Sequence, residues 1–144
     1  DPGWHGTPAE KAEQAYREMR ERPVDHRWAG IEDGEPVRDF VDRIRLGITL
    51  FLSERGVERA EHDLPIWKIS EPGARILLIA HAGTNSVCIS HLLGLEPTPW
   101  EWDRFVLGHT SISRLEAISV HDSHTFSLTK LSDTEHLDAD HRTR

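Results

Sequence analysis

In the stretch "RILLIAHAGTNSV", residues 75 to 87, four bulky aliphatics lead straight into His81, and a run of small residues follows. In open α/β sheets, ligands gather at the carboxyl ends of strands. Loops there enter helix N-termini, whose free N–H groups and dipole favour anions. The order of residues predicts that arrangement here. His81 stands at a strand end, Ala82 and Gly83 let the backbone approach a ligand, and Thr84 and Asn85 can cap the helix or donate to an oxygen. A phosphate-sized anion fits this equipment. The same residues also read as a core histidine satisfied by a backbone carbonyl and followed by an ordinary helix cap; the short pattern leaves both open.

Ten histidines raise the question of metal chemistry. Only His121 and His124 sit close together, in "HDSH", and that spacing falls in a predicted hairpin turn with no HExxH and no third ligand in register. No metal site and no cofactor are expected. His5, His26, His62, His91, His136 and His141 read as surface or loop residues. The five tryptophans fall mostly in predicted loops, where packing is their usual role, although Trp4 or Trp28 could wall a substrate cleft.

The elements that must position His81 follow from periodicity. Thr7, Pro8 and Glu10 form a helix start with a capping box, which predicts a surface helix from Pro8 to Arg22, ended by Pro23. From Pro36, the apolar residues Phe40, Val41, Ile44, Ile48, Phe51 and Leu52 recur at helical spacing and stop at Gly56, which predicts the best amphipathic helix. "LPIWKIS" is ambiguous. Arg75 to Ala80 is the continuous aliphatic run expected of a strand buried on both faces, so a parallel sheet is implied, and helical spacing resumes from about Asn85 to Leu93. "SISRLEAISV" and "TFSLTKL" alternate as an antiparallel hairpin around "HDSH", and the tail is expected to fray after Leu137.

The 144 residues suit a single α/β domain. A formal charge of −8 argues against nucleic-acid binding, whose footprint is basic. The single cysteine, Cys88, cannot form an internal disulfide, so a reducing cytoplasm is the simplest setting. No apolar run approaches the length of a membrane span, no signal peptide is evident, and a homodimer stays open. The opening "DPGWHG" reads like a mid-domain loop, so a preceding segment is expected.

Several segments, in order, resemble the histidine phosphatase superfamily, the phosphoglycerate mutase-like fold: "RILLIAHAGTNSVCISHLLGL", "FVLGHTSISRLEAI", "LTKLSDTEHL" and, upstream, "GWHGTPAEKAEQAYREMRERP" and "WAGIEDGEPVRDFVDRI". The resemblance implies a three-layer sandwich with a mostly parallel sheet and a C-terminal antiparallel hairpin, here lacking its N-terminal strand. It also implies a phosphatase or mutase that works on a small phosphorylated substrate, without cofactor, through a phosphohistidine. His81 matches the second, phosphate-binding histidine, with Gly83, Thr84 and Asn85 as donors beside it. Glu35 either faces the substrate entrance or is simply a carboxylate at a helix N-terminus. Ala82, His109 and Pro36 stand where the family commonly has glycine, asparagine and serine. The nucleophile belongs to an Arg-His-Gly motif that this sequence does not contain, so it is expected upstream of Asp1. A non-catalytic module of the same fold, binding a phosphorylated ligand or a protein, is the rival reading.

Overall fold

A computed structural model describes residues 8–142. Its centre is the amphipathic helix α2 (Val37–Ser53), whose Val37, Val41, Ile48 and Leu52 are buried along one stripe. Gly56 ends it with φ +69°, a conformation that disfavours any side chain, and here a side chain would also strike the Ser70 hydroxyl. The chain then forms a short hairpin, β1 (Val57–Arg59) and β2 (Trp67–Ile69), with Val57 opposite Ile69. Two long strands, β3 (Ile112–Val120) and β4 (Ser123–Asp133), form the predicted C-terminal hairpin, turning at His121, whose φ is +54°. The sheet order is β1-β2-β4-β3.

All three pairings in this sheet are antiparallel. The expected mostly parallel sheet is therefore not what the described residues form. Arg75–Ala80, the expected central strand, forms no strand and pairs with none among the described residues, and all six positions are exposed. Leu77 is 82% exposed and Ile79 87%. The physical reason is that burial on both faces and pairing on both edges must come from neighbours, whatever the strand's own sequence prefers.

Two further helices of more than one turn are present, and α3 packs on α2. α1 (Ala9–Glu21) matches the predicted surface helix and buries no side chain; Thr7, the expected cap, and Trp4 lie outside the described residues. α3 (Ala82–Leu92) starts three residues before the expected Asn85 and buries Gly83 and Ser86 through Ser90. It closes with Gly94 at φ +68°, where Gly94 N–H donates to His91 and Leu95 N–H to Ser90, so two orphan carbonyls are satisfied.

Helices and sheet meet at Trp67, which is fully buried and resolves the ambiguous "LPIWKIS" as a strand. Its indole meets Phe126 of β4 at 5.6 Å and His91 of α3 at 5.5 Å, both edge-on, amid Ile48, Leu52, Val57 and Cys88. His91 is thus no surface histidine. Its Nε2 lies 3.1 Å from the Thr49 hydroxyl, and its Nδ1 is buried without a partner. Burial, helped by the charges of Arg45 and Arg59, pushes its pKa down to about 4.

Two outcomes are expected. Between pH 6.5 and about 4 the unfolded chain protonates His91 while the folded chain does not. Stability is therefore fully present above pH 6.5 and falls as the pH drops towards 4. Thermal melts across that window should show a shallower loss for His91→Gln than for the wild type. Separately, the bare apolar segment is an association hazard. Light scattering after size exclusion should find the 144-residue chain in larger species, and the pair Leu77→Lys with Ile79→Lys shifted towards monomer at nearly unchanged melting temperature.

Candidate functional site

His81 is the N-cap residue of α3, in an extended conformation (φ −67°, ψ 156°), and it is exposed. The core-histidine alternative does not describe it. Its carbonyl accepts the Asn85 N–H at 3.0 Å, the first hydrogen bond of the helix, and its ring makes no cap bond. The N–H groups of the first turn, at Ala82, Gly83 and Thr84, lie ahead of the intrahelical ladder, as at any helix start. No acidic residue occupies that turn. The Asn85 side-chain amide donates to the Ala80 carbonyl at 3.0 Å, tying the end of the aliphatic segment to the helix, while Thr84 is half-buried. His81, Gly83, Thr84 and Asn85 are therefore brought together as one helix start. The free backbone donors of such a helix start favour an anion, and His81 stands beside them as its N-cap residue.

Gly83 has a second duty that the sequence did not reveal. It is buried, and a Cβ there would sit 2.5 Å from Cδ1 of Trp102 and closer still to its Nε1. Trp102 belongs to α4 (Glu101–Arg104), and its indole stacks on Phe40 of α2 with ring centres 4.8 Å apart and planes 21° from parallel. Trp28, the tryptophan considered for a cleft wall, is half-buried against the Val37, Val41 and Val87 cluster, with the Arg38 guanidinium 4.1 Å from its ring centre.

Glu101 fastens α4 to α3. Only 1% of it is exposed. Its carboxylate accepts the Ser90 hydroxyl and, at 3.1 Å, the Thr98 N–H, and Arg104 lies 3.6 Å away. Its backbone carbonyl accepts the Ser86 hydroxyl at 2.5 Å. Glu35 is placed elsewhere, just ahead of α2, where both its oxygens accept from Arg43 at 2.8 and 2.7 Å. These hydrogen bonds hold the Glu35 carboxyl below the usual range. Its commitment is to Arg43 and not to the His81 loop. Among the described residues no group of three His, Cys, Asp or Glu could hold a metal ion; His121 is exposed at its turn and His124 is half-buried in β4.

A family model for the histidine phosphatase superfamily, branch 1, matches residues 3–134. The chain belongs to that superfamily. The match spans the His81 loop, α4 and the whole C-terminal hairpin. No curated protein and no solved structure matches the chain. Membership in the histidine phosphatase superfamily points to phosphoryl transfer, by a phosphatase or a mutase. Among the described residues no helix is long and apolar enough to cross a membrane.

The residues that sequence reasoning missed are Trp102, Phe40 and Glu101. The only available signal was a glutamate between two tryptophans in "PWEWDRF". Removing the Glu101 side chain strands Ser90, Thr98 N–H and Arg104 together, so Glu101→Ala is expected to cost about 3 kcal/mol in urea denaturation. Glu101→Gln, which still accepts at one oxygen, should cost less than half of that.

Proposed function

We propose that this chain is the phosphate-holding part of a cofactor-independent phosphomonoesterase that works through a phosphohistidine. The observation that carries the reading is His81: an exposed imidazole at the N-cap of α3, inside a histidine phosphatase match. In this reading His81 and the first-turn N–H groups, with Thr84 and Asn85 beside them, hold the phosphoryl oxygens and stabilise the charge that grows on them in the transition state. The nucleophilic histidine attacks phosphorus as the ester P–O bond breaks, and the leaving oxygen takes a proton from an acid. Water then attacks the phosphohistidine, releasing phosphate and restoring the imidazole. None of the ten histidines stands in Arg-His-Gly, so the reading requires that the nucleophile come from outside these 144 residues.

The same reading makes Arg75–Ala80 a strand of a mostly parallel sheet in a three-layer sandwich. Its support is that the segment runs directly into α3 and carries bare aliphatic side chains that a neighbouring strand and helix would cover. The alternative is a phospho-ligand-binding module of the same fold, and the absence of Arg-His-Gly from the sequence favours it.

The protein encoded by the complete gene should hydrolyse p-nitrophenyl phosphate, and the activity should survive EDTA, because transfer through histidine needs no metal. His81→Ala is expected to lower kcat by about 10²-fold or more with little change in melting temperature, since the ring is exposed. Wild-type turnover in that variant would remove His81 from the site. Binding of inorganic phosphate without any turnover would establish the binding module instead.

A further inference from the structure

Resting on the phosphatase reading and deepening it, we infer that Trp102 and Phe40 form a shelf for the leaving group. The favoured substrates are then monoesters of a flat, apolar alcohol of the phenol class, with the phosphoryl group as their only anion. The shelf begins at the phosphate loop itself. The edge of the Trp102 indole occupies the space a side chain at Gly83 would take, two residues past His81 and within the first turn of α3. From there the stack runs onto Phe40 of α2. Despite contacts with both Gly83 and Phe40, Trp102 remains 40% exposed. A wide aromatic surface left wet beside an anion-favouring helix start matches a ligand that is anionic at one end and flat at the other.

The charges bordering the shelf narrow the class further. Arg43 lies 5.4 Å from the Phe40 ring centre, but its guanidinium is held by both oxygens of Glu35. Arg20 reaches the neighbour of Trp102, pairing with Asp103 at 3.3 Å. Each of these cations already faces a carboxylate. A second phosphate or a carboxylate on the leaving group would compete with Glu35 or Asp103 for these two cations, in a chain whose formal charge is −8. Phosphorylated hydroxy acids and bisphosphates are therefore poorly served, and a neutral aromatic leaving group is not penalised.

The test is calorimetric titration of the full protein with inorganic phosphate, glycerol phosphate and phenyl phosphate, alongside kcat/KM for the two esters. Phenyl phosphate is expected to bind about 5- to 10-fold more tightly than glycerol phosphate, the scale of one aromatic stacking contact. Trp102→Ala should bring that ratio close to one. Trp102→Phe, which keeps a ring, should retain most of the preference, and Phe40→Leu should lower it; these two variants decide the matter if Trp102→Ala does not fold. Equal binding of the two esters by the wild type, with inorganic phosphate still bound, overturns the shelf while the phosphatase reading stands. Failure of all three to bind overturns that reading and the shelf with it.

Discussion

A carboxylate withdrawn almost completely from water organises this molecule around the His81 loop. Glu101 is tolerable in the interior only because every oxygen it carries has a partner: the carboxylate takes Ser90, Thr98 and nearby Arg104, and the backbone carbonyl takes Ser86. The arrangement is reciprocal. Ser86 and Ser90 are buried on the face of α3 that packs inward, and without Glu101 their hydroxyls would be the unsatisfied groups. Helix α4 has four residues, too few to hold itself together, so its position is dictated by this exchange. Trp102 follows Glu101 in sequence and is thereby set against Gly83 and Phe40, next to the start of α3.

What the sequence made legible was local. α1, α2 and the β3–β4 hairpin are readable because period, proline and glycine signals lie within the elements themselves. The adjacency of His81, Gly83, Thr84 and Asn85 at a helix start is readable for the same reason. β1 and β2 are three residues each, too short for alternation to register. The early start of α3 was hidden because "AHAG" looks like loop. Gly83 is helical there, and the indole of Trp102 fills the space beside it. Trp67 gains its burial from partners distant in sequence, and Glu101 largely from Ser86 and Ser90 of α3, so neither periodicity nor residue type announces it. Arg75–Ala80 shows the converse: its sequence expresses a strong preference, but pairing depends on a neighbour, and among the described residues none is supplied.

The buried side chains fall into two clusters, and the division bears on function. One surrounds Trp67 and joins β1, β2 and β4 to the C-terminal halves of α2 and α3. The other, Val37, Val41 and Val87 with Trp28 and Phe40, lies towards the N-terminal ends of the same helices. Ile44 touches both. The sheet therefore anchors the helices at one end, and the His81 loop, Trp102 and the Glu35–Arg43 pair sit at the other. At the anchored end His91, half-buried beside Trp67, ties stability to pH. Groups at the free end are exposed or half-buried, held by hydrogen bonds and one aromatic stack more than by bulk burial. Residues at that end can change while the Trp67 core that joins sheet and helices stays as it is.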